Sequence, residues 1–327
     1  TGGLDMIKPI MGTWFEFQHH NTAEGKYWNS TLDQFTSEDW DAKVREIAEL
    51  GMEYVVLMHV AVHDKAYYPT DMYPHADIAC YNPTEVVFNA ADKYGLKIFL
   101  GNDFFFKWDD PNIVTDPDAR RRRLRAIGEL YAQFGHHKSF YGWYWPNEAY
   151  IGGHYNERFM EYVNECSKEA RRFTPHGKIL IAPYGTRDAI PDDKYVKQLE
   201  SMDVDIVAYQ DEIGVQKSTV DETAKFYEGL RKAHDKVPHV KLWADVEIFD
   251  FEGQVYRSAL IPADFDRIIK QFANVTPYVD NILVYQYQGM MSKPGQKAYA
   301  GHENAGKLYT DYYNWLKENH PEMLRKL

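Results

Sequence analysis

Two glutamates stand where chemistry is easiest to build. Asn147-Glu148 closes the run Phe140-Tyr141-Gly142-Trp143-Tyr144-Trp145-Pro146, in which Pro146 stops strand pairing. Glu247 closes the run Lys241-Leu242-Trp243-Ala244-Asp245-Val246. Alternation along that second run sets Leu242, Ala244, Val246 and Ile248 on one face. These are apolar and small enough to pack against helices. Trp243, Asp245 and Glu247 then point into whatever the strands enclose. A carboxylate in such an interior is costly unless paired or solvated, so two on one strand need a reason. Asp245 reads as a carboxylate bonded to polar neighbours or as part of a binding surface, and Glu247 as a working group. Two carboxyls flanking a glycosidic bond are the minimum machinery to cleave it. One must carry a proton for the leaving oxygen, and the other must be ionised to attack or to activate water.

The ends of the other apolar runs are also polar or aromatic. Glu16 follows Thr13-Trp14-Phe15, His59 lies on the second run, and Asn102-Asp103 follow Gly101. Tyr184 ends the fifth run, Tyr209-Gln210-Asp211-Glu212 the sixth, and Tyr285-Gln286-Tyr287 the eighth. Carboxylates and amides bond hydroxyls, and flat rings stack on the C–H face of a sugar. These residues, with Trp145, Asn147 and Asp245, form the expected binding surface. Trp143 and Trp145 share parity and are expected to line the interior, with Tyr287 the best candidate for a ring facing the cleft. Glu148 is expected in drier surroundings that raise its pKa, and Glu247 to be held ionised by hydrogen bonds, with Tyr209 a possible donor.

His19, His20, His59 and His63 with Glu16 invite a metal reading. No H-E-x-x-H or paired-cysteine spacing supports it, so neither metal nor cofactor is expected. A serine hydrolase lacks its G-x-S-x-G elbow, and no phosphate-binding P-loop is present.

Such residues need a frame that brings distant strand ends together. Eight β-rich runs begin at Ile10, Glu53, Lys97, Phe140, Lys178, Asp205, Lys241 and Asn281, and helical patterns separate them. Asn82-Pro83-Thr84-Glu85 and Asp116-Pro117-Asp118 are helix starts, Thr219 with Glu222 forms a capping box, and Pro262 is expected to open another helix. Gly51, Gly95, Gly135 and Gly177 each follow a helical stretch and read as left-handed caps. Strand and helix in alternation imply parallel pairing through crossovers. Eight units fit one α/β domain over residues 1–327, a (β/α)8 TIM barrel, whose active site lies at the C-terminal ends of its strands. An open doubly wound sheet is the competing fold, but no G-x-G-x-x-G follows the first run.

The 327 residues are ample for a buried core. A net charge of −12 disfavours a general nucleic-acid binder. With 8 Trp, 25 Tyr and 17 Phe, the chain is rich in rings that suit sugar faces. No run approaches the length of a membrane span, and no basic-then-apolar leader is visible at Thr1. Cys80 and Cys166 give no disulfide framework, and oligomeric state cannot be read. The Arg120–Arg123 cluster with Arg125 reads as a solvated helix flank paired with acids.

The pattern of Asn147-Glu148 on strand four and Glu247 on strand seven resembles the large clan of retaining glycoside hydrolases built on (β/α)8 barrels. More closely, the whole chain resembles a Bacteroides-type group of glycosyl-hydrolase-like barrels. Gly12-Thr13, Gly142-Trp143-Tyr144 with Glu148, and Trp243-Ala244-Asp245-Val246-Glu247 carry that likeness. It implies a retaining glycosidase with Glu148 as acid/base and Glu247 as nucleophile, a carbohydrate substrate, and a periplasmic or extracellular location. His59 stands where the clan often has arginine, and Tyr287 where it often has tryptophan. Two alternatives stay open. One is an α-L-fucosidase-like or inverting enzyme using Asp211 or Glu212. The other is a glycan-binding barrel without catalysis.

Overall fold

The computed structural model describes residues 6–102 and 112–327. Eight strands form its centre: β1 (Ile10–Phe15), β2 (Tyr54–Leu57), β3 (Lys97–Gly101), β4 (Phe140–Tyr144), β5 (Lys178–Ile181), β6 (Ile206–Gln210), β7 (Lys241–Glu247) and β8 (Asn281–Tyr285). They pair in sequence order, and β8 pairs with β1 to close the barrel. Every barrel pairing is parallel. All eight expected runs are strands of this (β/α)8 barrel.

Each strand is followed by a helix: α1 (Ser37–Glu49), α2 (Pro83–Tyr94), α3 (Pro117–Phe134), α4 (Glu157–Phe173), α5 (Asp193–Ser201), α6 (Thr223–Asp235), α7 (Phe265–Val275) and α8 (Ala305–Asn319). Asn82 and Asp116 accept first-turn backbone N–H groups of α2 and α3, and Thr219 with Glu222 makes its capping box. Gly51 and Gly95 take the left-handed conformation, whereas Gly135 is right-handed. Gly177 is not among the residues of positive φ. Pro262 does not open α7: it lies in a short hairpin strand, and Asp264 caps the helix. The arginine cluster divides. Arg120 and Arg121 pair with Glu165 and Asp118, while Arg123 turns inward to the carbonyls of Ile113 and Val114.

Two apolar layers follow from strand alternation. Trp14, Val56, Phe99, Tyr144, Leu180, Ala208, Trp243 and Leu283 fill the barrel. Leu242, Ala244, Val246 and Ile248 join the layer between strands and helices, as the alternation of β7 requires. On β4 the expected parity is reversed. The β3–β4 register slips so that Ile98 faces Phe140 but Phe99 faces Gly142. A Cβ on Gly142 would meet the Lys178 carbonyl oxygen at 1.9 Å, so only glycine fits there. Tyr141 and Tyr144 occupy the interior. Trp143 and Trp145 face the helices, with indole N–H groups donating to Thr174 and to Ser167. Among the described residues no helix is long and apolar enough to cross a membrane.

Candidate active site

The strand ends build one pocket at the C-terminal mouth. Its lining includes Trp14 of β1, Tyr144 and Glu148 of β4 and its exit, Gln210 of β6, Asp245 and Glu247 of β7, and Tyr285 of β8. Met58, His19, His20, Glu24 and Phe249 complete the wall. Glu148 and Glu247 therefore reach the same space from distant strands.

Water reaches the Glu148 side chain, which is exposed at the mouth. Of the two carboxyls it is the wetter, since Glu247 is buried, so the expectation that Glu148 sits in the drier surroundings is not met. Partial desolvation by the pocket wall nonetheless pushes its carboxyl up to about 7. A Gln210 hydrogen bond and the Lys217 charge oppose the rise, and the Glu212 charge adds to it.

Glu247 is buried, and its Oε1 accepts the Val215 N–H at 3.1 Å. Burial and then the charge of Asp211 raise its carboxyl well above the ordinary value, against that single hydrogen bond. The expectation that hydrogen bonds hold Glu247 ionised is thus reversed. Asp211 is tied more tightly. Its Oδ1 accepts the N–H of Glu247 at 3.1 Å and of Ile213 at 3.3 Å, and its Oδ2 accepts Gln271 Nε2 at 2.8 Å. Burial outweighs these donors and lifts Asp211 to about 6. Burial and then the charges of Glu247, Asp211 and Glu148 raise Asp245 well above its ordinary value.

The end of β7 is braced from α7. Arg267 donates to the carbonyls of Glu247 and Phe249 at 2.9 and 3.0 Å, and Gln271 donates to the Glu247 carbonyl at 2.9 Å. Such bracing fixes a functional side chain more tightly than a loop can.

Across the mouth, Glu16 Oε1 takes contacts from His19 Nδ1 at 2.9 Å, Tyr285 Oη at 3.0 Å and Gln286 Nε2 at 2.6 Å. His19 Nε2 meets Glu24 Oε1 at 2.9 Å, and His59 Nε2 stands 3.7 Å from Glu16 Oε2. Burial opposes charge on both His19 and Glu16, but their mutual attraction wins. His19 rises to about 10 and Glu16 falls far below its usual range. Ligand atoms of Glu16, His19 and His20 lie within 4.8 Å of one another. This group could face a metal, but both His19 nitrogens already meet carboxylates and Glu16 Oε1 already has three partners.

Several expected residues lie elsewhere. Trp145 turns outward to α4, because its indole N–H finds Ser167 there. Tyr209 also faces outward, its hydroxyl bonded to Tyr195 at 2.6 Å and His234 at 2.9 Å, so it gives Glu247 no hydrogen bond. Tyr287 points to α1 and donates to Glu46 at 2.6 Å. The β8 ring at the cleft is instead Tyr285, two residues earlier and paired with Glu247 in the β7–β8 register. Asn102 is buried against α3 and α4, donating to the Arg123 carbonyl. Asn147 is buried beside Tyr162. Glu212 is held by the N–H groups of Gly185 and Thr186 at 2.6 and 3.2 Å. Tyr184 lies half-buried at the rim. Asp103 lies outside the described residues.

The strand-end reading missed Glu24, Met58 and Phe249. Glu24 sits in a loop well past β1, where periodicity carries no signal. Phe249 shares parity with Glu247 and was recoverable from the β7 alternation.

The fold has known counterparts. A protein from Bacteroides thetaiotaomicron put forward as an alpha-L-fucosidase superposes with a TM-score of 0.76 at 18% identity, covering 96% of this chain and 94% of its own. A beta-galactosidase from the psychrophilic Marinomonas ef1 gives 0.58 at 11% identity, covering 96% of this chain and 61% of its own. An endo-1,4-beta-mannanase from Rhizomucor miehei gives 0.54 at 9%, covering 95% of each. At such identities the likeness is one of fold. No curated protein matches in sequence. The family described as a domain of unknown function, DUF4434, matches residues 10–298, and the chain belongs to that family.

Proposed function

We propose that the protein is a retaining glycoside hydrolase with Glu148 as acid/base and Glu247 as nucleophile. The observation that carries this reading is the shared pocket. A carboxyl from β4 and a carboxyl from β7 line one cleft, with Trp14, Tyr144 and Tyr285 as its rings. The glycosidase neighbours agree with it, and their different sugars leave the substrate open.

In the first step Glu247 attacks the anomeric carbon. The bond to the leaving oxygen breaks, and the Glu148 proton passes to that oxygen. In the second, water attacks the same carbon, Glu148 takes the water's proton, and the ester to Glu247 breaks. Glu148 must therefore hold a proton at working pH, and its raised pKa serves that role. Glu247 must lose its proton before attack, and the nearby Asp211 sets how readily it does.

The alternatives that use Asp211 or Glu212 have less support. Both carboxylates are occupied by backbone N–H groups, and neither lines the pocket. The test is a panel of aryl glycosides and glycans, run with wild type and Glu148→Gln. Turnover of one substrate that falls about 100-fold or more in the variant supports the reading. An unchanged rate in Glu148→Gln contradicts it.

A further inference from the structure

The two sides of the mouth differ in kind. On the β1–β8 side the wall is closed and polar, with His19 2%, Glu24 9% and Trp14 1% exposed. On the β4–β7 side it is open and aromatic. Tyr150 is 51% and Tyr256 47% exposed, and Tyr184 is half-buried between the strand ends and solvent. Tyr150 and Tyr184 lie ring against ring, with centroids 5.6 Å apart.

Lys217 joins these rings. Its ammonium lies 5.3 Å from the centre of the Tyr184 ring and 5.7 Å from that of Tyr256. Its nearest carboxylate oxygen is Glu212 Oε2, at 4.0 Å. The backbone beneath is fixed, with the Lys217 N–H bonded to the Glu212 carbonyl and Arg187 bonded to the Lys217 carbonyl. Tyr256 holds φ at 65°, a left-handed conformation that is unfavourable for a bulky residue and persists only where surroundings enforce it. Its carbonyl accepts Asn21 Nδ2 at 3.1 Å, and its ring packs on Phe251. The Lys217 ammonium thus reaches both tyrosine rings, and the Tyr184 N–H donates at 2.8 Å to the carbonyl of Ala149, the neighbour of the carboxyl that serves the leaving oxygen. Glu148 feels the Lys217 charge, and Tyr184 feels that of Glu148.

We propose that Tyr184 and Tyr256, with the Lys217 ammonium that reaches both rings, form a subsite for a sugar ring on the leaving-group side of the scissile bond. The substrate is then a di- or oligosaccharide whose leaving group is itself a sugar. The proposal rests on the glycosidase reading, because it takes Glu148 to mark the leaving-group side. The rings supply faces for the sugar's C–H groups, and Lys217 donates to its hydroxyls. The closed polar side then holds the sugar whose anomeric bond is broken.

The test compares two substrates of the same sugar, its disaccharide and its glycosyl fluoride. Fluoride leaves without touching the subsite. In Tyr184→Ala and Tyr256→Ala the ratio of kcat/KM for disaccharide over fluoride falls about threefold to tenfold, as loss of one stacked ring implies. Tyr184→Phe and Tyr256→Phe keep the ring and restore the ratio, and Lys217→Met lowers it. A ratio unchanged in both alanine variants overturns the subsite, as does an equal loss on both substrates. If no sugar is turned over, the glycosidase reading fails by itself. Titration of disaccharides into the Glu148→Gln protein then decides the subsite: binding weakened by Tyr184→Ala supports it, and no binding, or binding indifferent to both tyrosines, overturns it.

Discussion

The backbone N–H of Glu247 donates to Asp211 Oδ1 at 3.1 Å, so the proposed nucleophile and a second buried carboxylate share the junction of β6 and β7. Asp211 positions the end of β7 through that bond. It also sets its charge against the Glu247 carboxyl. With more hydrogen-bond donors on Asp211 than on Glu247, a proton shared by the pair rests on Glu247.

This relationship predicts the acid limb of the pH profile. Glu247 must ionise, and Asp211 holds its pKa up. Asp211→Asn removes the repelling charge, so the acid limb of kcat/KM moves to lower pH. The check is a pH–rate profile of wild type against the variant; a limb that stays in place or moves upward contradicts the account.

With Glu148 as the proposed acid, the alkaline limb follows its carboxyl, which is raised to about 7. Gln210 opposes the rise by hydrogen bonding to it. Gln210→Leu removes that bond to the ionised form, so the alkaline limb moves to higher pH. Activity measured from pH 5 to 9 distinguishes this from a plain loss of rate.

Asp245 predicts a stability effect. Its folded pKa is raised above 3.8, while the unfolded chain keeps the ordinary value. The folded state is therefore penalised progressively as pH rises above about 4, until Asp245 ionises in the folded protein. Asp245→Asn removes this penalty. Its melting temperature relative to wild type should rise with pH and show no gain near pH 3.5. A difference flat with pH contradicts the prediction.

The ion pair across the mouth behaves oppositely. Glu16 is lowered from 4.5, and its contribution is present above that value and lost as pH falls through the folded pKa. His19 is raised from 6.5 to about 10, and its contribution is complete below 6.5 and lost as pH rises through 10. The pair is therefore worth most between pH 4.5 and 6.5. Glu16→Ala leaves His19 and Tyr285 without their shared acceptor and should cost about 3–5 kcal/mol there. Denaturant melts at pH 5.5 and 10 should show the larger loss at the lower pH.

The barrel was legible because each of its strands is buried on both faces and reads as an apolar run, with helices between. The β7 parity was legible because Leu242, Ala244, Val246 and Ile248 leave no ambiguity about which face meets helices. The β4 parity was not. Trp143 and Trp145 suit either face, and the hydroxyls that claim them, Thr174 and Ser167, lie at the far end of a crossover. Tyr209 and Tyr287 misled for the same reason: a buried hydroxyl goes where its partner is, and His234 and Glu46 are distant in sequence. The charges around Glu247 depend on Asp211 meeting it across two strands, a relation that pairing register reveals and spacing does not.

The most direct measurement of the central claim is azide rescue of Glu247→Ala and Glu148→Ala on an activated aryl glycoside. Azide should restore turnover to Glu247→Ala and give a glycosyl azide of inverted configuration, because the anion would enter where the carboxylate attacks in the proposed mechanism. In Glu148→Ala azide should act on the glycosyl ester and give the retained configuration. If neither substitution lowers turnover, or if both variants yield the same azide stereochemistry, Glu148 and Glu247 are not the acid/base and nucleophile.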